Sequence, residues 1–315
     1  MLARLIATAY LSVMTAQSTF PPVYESFVAP ARRRPAIWRL VLGLILAAAI
    51  YMGGTFGLLG LVWWLTASQS DFLTWSAQVA APSTPFFTYL ILFVSFPMMA
   101  AGVFVAAKVL HKRGPGTLFG RAPRVMRHFC VGAAVTAAIS LVVLIPSFVL
   151  GFDGIPNVPA RAWLMLLPLT LLGVLVQTGA EELVFRGYLQ QQLAARFRSP
   201  FLWLLIPAAV FALVHWNPAA LGDNVWLPLA VAFLFGLAAA DLTAKTGSIG
   251  AAWGIHFANN FNGIALIATD GTITGLSLYL TPYSASDPDL VGWSVLPSMV
   301  LLAAAWFVTR RLTAR

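Results

Sequence analysis

Apolar residues occur in eight long stretches along this chain, separated by short polar segments. The stretches cover about residues 37–65, 85–108, 128–151, 162–186, 200–216, 226–244, 248–269 and 291–309. A helix needs about 20 predominantly apolar residues to cross a bilayer. The fifth and sixth stretches are shorter, as is usual for helices packed inside a bundle. The pattern predicts an all-α polytopic membrane protein with about eight transmembrane helices and no soluble domain.

The composition agrees with a membrane protein and excludes an ordinary soluble one. Of the 315 residues, 60% are hydrophobic and 9% are charged, and the mean hydropathy is +0.84. Soluble domains have about 25% charged residues. Because Cys130 is the single cysteine, an intramolecular disulfide is excluded.

The basic residues are concentrated in alternate loops between the apolar stretches. They are Arg32, Arg33, Arg34, Arg39, Lys108, Lys112, Arg113, Arg121, Arg124, Arg127, Arg196, Arg198, Lys245, Arg310, Arg311 and Arg315. Cytoplasmic loops carry an excess of lysine and arginine, so both termini are expected in the cytoplasm, and a bacterial inner membrane is indicated. The formal charge of +9 then reflects topology and attraction to anionic lipid headgroups, and predicts no nucleic acid partner.

The chain divides into four segments by its pattern. Residues 1–36 precede the first apolar stretch, and their first 18 residues are typical of an interfacial amphipathic segment or tail, or of a weak signal peptide. A proline-rich juxtamembrane linker follows, ending before residue 37. Residues 37–159 hold three peripheral transmembrane helices, and residues 160–270 hold a catalytic core of helices 4–7. Residues 271–315 form an external loop, the last helix and a basic tail.

Charged residues interrupt the fourth apolar stretch, in the sequence QTGAEELVFRGYL. An ionised group inside a bilayer is costly, so such groups face the interior of a bundle and tend to be functional. Glu182 and Arg186 are spaced i,i+4, which predicts an ion pair. Since one arginine neutralises only one acid, Glu181 is left as a candidate general base or acid.

Two of the four histidines lie inside apolar stretches and are candidate partners of the acids. His215 occurs in AAVFALVHWNP and His256 in AAWGIHFANNF, while His111 and His128 are in or beside the basic loop, where solvation is expected. Asn260 is one helical turn beyond His256, on the same face. Asn259 belongs to the same set of polar residues inside the apolar stretches, and Asp241 and Asn262 lie at the margins of this set.

The spacing of these residues predicts that Glu181 and His215 face each other. Each lies 17 residues from Arg198, near the turn between the fourth and fifth stretches. His256 is nearer to its own turn, at Gly247. His256 lies at the same depth in the membrane as Glu181 and His215 if the first hairpin projects about 10 Å into the cytoplasm. The tip of this hairpin carries the polar run Gln190, Gln191 and Gln192.

Three motifs in sequence order resemble the CPBP family of intramembrane proteases. EELVFR matches an EExxxR motif, FALVH an FxxxH motif and HFANN an HxxxN motif, within residues 160–270. The family includes type II CAAX prenyl endopeptidases and bacterial bacteriocin-processing or self-immunity proteins. The first three stretches show no pattern that can be transferred.

The resemblance implies a role for each motif residue. Glu181 and His215 would activate a water, and His256 and Asn260 would stabilise the tetrahedral oxyanion. Glu182 and Arg186 would hold the site together. A zinc site with Glu181, His215 and His256 as ligands fits the same residue types, and the spacing does not decide between the schemes. The family looks closer to glutamic peptidases, so no cofactor is expected.

The function predicted from the sequence is therefore that of an intramembrane, CAAX-protease-like endopeptidase. Its substrate would be a membrane-associated peptide or protein, with or without a lipid modification. The alternative is a non-proteolytic immunity or scaffold protein, or a proton-coupled transporter that uses the same buried glutamates and histidines.

Overall fold

The computed structural model describes residues 20–66, 71–151, 153–287 and 291–313. These residues form ten principal helices, numbered α1 to α10. They are Pro22–Val28, Ile37–Thr66, Phe72–Ala80, Pro85–His111, Ala122–Val149, Ala160–Arg196, Phe201–Leu213, Trp226–Thr246, Gly250–Phe261 and Val291–Leu312. Helices α4, α6 and α7 contain π-helical segments, Ile91–Ser95, Leu183–Gln190 and Phe201–Leu205, and a further one, Asn262–Leu266, follows α9. The single helical turn Pro218–Leu221 precedes α8.

The helices confirm an all-α polytopic membrane fold. Five of them, α2, α4, α5, α6 and α8 with its preceding turns, are long and apolar enough to cross a membrane. Helix α7 is apolar but shorter, ending at Leu213 rather than at 216. The expected total of eight crossings, the boundaries of the four segments and the cytoplasmic termini remain predictions. The interfacial segment or signal peptide expected at the start of the chain lies outside the described residues.

A small sheet at one end of the bundle was not predicted. Strands β1 (Ile155–Pro156), β2 (Ile267–Asp270) and β3 (Tyr279–Ser284) are ordered β1-β3-β2. Strand β3 is antiparallel to β1 and parallel to β2. The prediction of a helix that reaches residue 269 is wrong over its last residues, because the backbone there pairs with β3 instead of continuing the hydrogen bonds of a helix.

Glycines allow α5 and α9 to pack closely beside the core. A Cβ atom added at Gly254 or Gly250 would overlap the carbonyl oxygen of Phe129 or Val125 on α5. Small residues of this kind let membrane helices approach at backbone distance. The contact fixes α9, and with it His256, against the rest of the bundle.

The glutamines of the first hairpin are buried within the protein, and the expected projection of this hairpin into the cytoplasm stays a prediction. Gln190 and Gln191 have no exposed surface. The side-chain amide of Gln190 donates to Ala240 O at 2.9 Å and to the hydroxyl of Tyr24 in α1 at 3.2 Å. The amide of Gln191 donates to Phe27 O at 2.6 Å. The segment expected to be a linker is therefore a packed cover over these glutamines, and it accepts from their amides through the Tyr24 hydroxyl and Phe27 O.

Two histidines expected to be solvated are also buried. His111 hydrogen-bonds through Nδ1 to Arg34 O at 3.1 Å and through Nε2 to the Tyr188 hydroxyl at 2.9 Å. His128 is 6% exposed. The nearby Arg113 is also buried and donates to the side-chain oxygen of Gln191. Burial lowers the pKa of Arg113 to about 10, opposed by its interaction with Tyr188. The basic loop thus packs onto α6 instead of extending into solvent.

Candidate active site

Helix α6 changes geometry directly after the two glutamates. It is α-helical through Glu182 and π-helical from Leu183 to Gln190. Residues 177–183 and 185–193 are all buried. Short π segments occur frequently at functional sites. This stretch places two acids and an arginine in the interior of the bundle, as their cost in a bilayer requires.

Glu182 and Arg186 form the ion pair that their spacing predicted. Arg186 Nη1 lies 3.0 Å from Glu182 Oε1, and neither residue has exposed surface. The guanidinium also lies 4.7 Å from the ring centroid of Phe211 and 5.2 Å from that of Phe235. The pair is thus enclosed by aromatic rings, where an uncompensated charge would be strongly unfavourable.

Close packing of α9 on α6 brings His256 to the acids. A Cβ at Gly179 would lie 2.7 Å from the Trp253 ring, so only glycine fits there. The Trp253 indole donates to Thr178 Oγ1 at 3.2 Å. One turn further along α9, His256 Nδ1 is 2.8 Å from Glu182 Oε1. Because an ionised carboxylate only accepts hydrogen bonds, Nδ1 carries the proton and Nε2 is the nitrogen left for chemistry.

The second ring nitrogen of His256 faces Glu181. Nε2 lies 3.6 Å from Glu181 Oε2, just beyond hydrogen-bond distance. Glu181 is 6% exposed, and Gln177, one turn earlier on α6, donates to its Oε1 at 3.1 Å. Within the described part of the chain, Oε2 of Glu181 has no hydrogen-bond partner. One carboxylate oxygen is therefore anchored, and the other is left for a water or a substrate.

His215 lies beyond the end of its helix, which differs from the buried helical position expected. Its ring is exposed, and its Nδ1 donates to Phe211 O at 2.7 Å. The hairpin register nevertheless holds, because Phe185 and Phe211 are each 13 residues from Arg198. Their ring centroids are 5.0 Å apart. His215 thus lies on the side of α7 that faces α6.

Two cavities meet at His215. The first, here called the front cavity, has a volume of about 520 Å³ and is lined by Tyr51, Glu181, His215 and mostly apolar residues of α2, α4, α6 and α7. The second, the histidine cavity, has about 300 Å³ and includes His215, His256 and Asn260 in its lining. The structure therefore brings all four expected catalytic residues to two cavities that share one wall.

Sequence reasoning missed two contacts in this site. It did not predict that His256 bridges the two glutamates, nor that Gln177 anchors Glu181. The spacing of Gln177 and Glu181, i and i+4 on one helix, was a signal for the second contact. In the described ranges no three His, Cys, Asp or Glu side chains, Glu181, His215 and His256 included, form a group able to hold a metal. The expectation that no cofactor is needed, and the zinc alternative to it, stay predictions.

Comparison with known proteins covers the same core. Residues 161–262 match the family described as type II CAAX prenyl endopeptidase Rce1-like. The chain is 27% identical over 240 residues to the uncharacterized protein YyaK of Bacillus subtilis (strain 168), covering 75% of this chain and 80% of that protein. No solved structure matches the chain significantly. The matched residues include the whole Glu181–Asn260 site. Residues 161–262 thus form a domain of the Rce1-like type II CAAX prenyl endopeptidase family, and the CPBP resemblance is confirmed.

Proposed function

We propose that the protein is an intramembrane endopeptidase in which Glu181 activates a water to hydrolyse a peptide bond. One observation carries the proposal most directly. A buried carboxylate with one unshared oxygen lies 3.6 Å from a histidine whose other nitrogen is held by the Glu182–Arg186 pair. A base held beside an oriented imidazole is the arrangement that general acid–base catalysis needs.

Each group has one step in the reaction. Glu181 takes a proton from the water, with His215 assisting from the opposite wall of the front cavity. The water oxygen attacks the substrate carbonyl carbon. The Asn260 amide then donates to the resulting oxyanion, while His256 Nε2, which carries no proton in this tautomer, accepts a hydrogen bond from the attacking water. When the tetrahedral intermediate collapses, the C–N bond breaks and the proton returns from Glu181 to the leaving amine.

The charges of the cluster support this use of the proton. Glu181, Glu182 and Arg186 together carry one net negative charge while His256 is neutral. The proton taken from water neutralises Glu181 while the negative charge moves to the oxyanion, so the net charge of the buried site does not change during this step. Glu182 and Arg186 act as positioning residues, because their pair fixes the His256 ring.

The front cavity indicates an apolar, membrane-associated substrate. Its walls are mostly aliphatic and aromatic, and polar side chains occur only at Tyr51, Glu181 and His215. A peptide or protein segment presented from the membrane, with or without a lipid modification, fits this lining. With the basic loops on the cytoplasmic side, the protein would sit in a bacterial inner membrane with both termini inside.

The test is cleavage of a quenched-fluorescence peptide library by the purified protein in detergent or liposomes. Wild-type protein should cleave, and Glu181→Gln and His215→Ala should lose most of the activity while retaining the fold. Wild-type activity in Glu181→Gln would rule out its role as the base. An inactive wild type that still captures a peptide would instead favour a non-proteolytic immunity or scaffold protein.

A further inference from the structure

A third cavity adjoins the histidine cavity and is lined by other helices than the front cavity. This rear cavity has a volume of about 300 Å³ and lies between α5, α9 and α10. It shares Asn259 and Ser298 with the histidine cavity, so the two adjoin along these side chains. The histidine cavity therefore adjoins the front cavity at His215 and the rear cavity at Asn259 and Ser298.

The rear cavity leads toward the sheet at the end of the bundle. On α5 its lining includes Thr136, Ser140 and Leu144, which are one helical turn apart. The eight residue steps from Thr136 to Leu144 cover about 12 Å along the helix. Beyond α9 the lining ends at Leu266 and Ile267, where β2 begins. The passage thus connects the buried site with the surface that carries β2.

Polar side chains line this passage in the middle of apolar helices. Asn262 donates to Ser140 Oγ at 2.7 Å, which leaves the Ser140 hydroxyl hydrogen free to donate elsewhere. Thr136 is 7% exposed, and its Oγ1 has no hydrogen-bond partner in the described ranges. A buried polar atom without a partner is unfavourable unless a water satisfies it. At about 30 Å³ per water, the rear cavity has room for several molecules.

The front cavity has the opposite chemistry. Its lining is mostly apolar, and a bound substrate would fill the space next to Glu181 and exclude water from that side. Hydrolysis nevertheless consumes one water in each turnover. The polar passage reaches His256 and Asn259 through the histidine cavity, whose lining overlaps with that of the front cavity at His215.

We propose that the rear cavity and the histidine cavity form the water-entry passage of the enzyme, with Thr136, Ser140, Asn259 and Asn262 as its polar lining. The role of the passage in catalysis rests on the proposed function, whereas the presence of a water-filled passage does not. Water enters at the β2 side, passes Ser140 and Asn259, and reaches His256 and Glu181.

Cysteine accessibility tests the passage without any substrate. The background is full-length Cys130→Ser protein in liposomes, because the native cysteine is exposed. Ser140→Cys is compared with Val142→Cys, which lies on the same helix but is 73% exposed on its outer surface. A cationic methanethiosulfonate reagent reacts with thiols in water and poorly with thiols in lipid. The thiol of Ser140→Cys should therefore react with this reagent at least about tenfold faster than the thiol of Val142→Cys. Equal or slower modification would overturn the proposal.

A blocking substitution tests the role of the passage in turnover. Ser140→Phe should reduce kcat about tenfold with little change in KM, since it obstructs water and not substrate, whereas Val142→Phe should leave both unchanged. Full kcat in a folded Ser140→Phe protein would overturn the role in water entry. A reactive Ser140→Cys in a protein without peptidase activity would contradict the proposed function and leave the passage standing. Peptidase activity in the wild-type protein together with an unreactive Ser140→Cys would support the proposed function and contradict the passage.

Discussion

The two adjacent glutamates should respond differently to the same substitution. Glu182 accepts from Arg186 at 3.0 Å and from His256 at 2.8 Å, and it is fully buried. Glu182→Gln leaves the guanidinium without its anion, and removing one partner of a buried pair costs about 3–5 kcal/mol. In Glu181→Gln the amide oxygen still accepts from Gln177, so we expect a loss of stability of about 1 kcal/mol or less.

Activity should separate the two variants as well. Glu181→Gln removes the proposed base and should lower kcat by about 10²–10⁴-fold in a protein that unfolds almost as the wild type does. Glu182→Gln should lose stability and activity together, because His256 is no longer held. Unfolding in denaturant can be followed by the fluorescence of the 11 tryptophans, alongside peptide cleavage. A Glu182→Gln protein as stable as wild type, or a Glu181→Gln protein destabilised equally, would refute the division between base and positioning residue.

Three further predictions concern topology, metal dependence and helix packing. A cysteine at Gly116 in the basic loop should be labelled only from the cytoplasm and one at Ser286 only from outside; the opposite pattern would overturn the charge-based orientation. Peptidase activity should survive EDTA and fall on addition of Zn²⁺, because neutral imidazoles bind zinc well; reversible loss of activity with tight chelators would support the zinc alternative. Gly254→Ala should destabilise the protein by about 1–3 kcal/mol, because the new methyl group overlaps Phe129 O, whereas Gly57→Ala, with nothing within 4 Å, should not; equal midpoints in denaturant would contradict this.

The sequence alone determined the features that depend on local spacing and composition. The apolar stretches predicted the membrane class, because burial of about 20 consecutive apolar residues has few other solutions. The i,i+4 spacing predicted the Glu182–Arg186 pair, because helix geometry fixes that distance. Symmetric spacing about Arg198 predicted the hairpin register that the Phe185–Phe211 contact shows.

Tertiary structure decided which polar groups meet, because that depends on how whole helices rotate and approach. His256 lies between the two glutamates only because Gly179 admits Trp253 and because α9 packs closely on α5. Gln190 is polar in the sequence yet buried, and the backbone of α8 and a hydroxyl of α1 accept hydrogen bonds from its side-chain amide nitrogen. No local pattern encodes such partners, since they come from distant segments. The sequence could therefore name the residues of the candidate site, whose catalytic roles stay predictions, but only the packing of the helices could pair them.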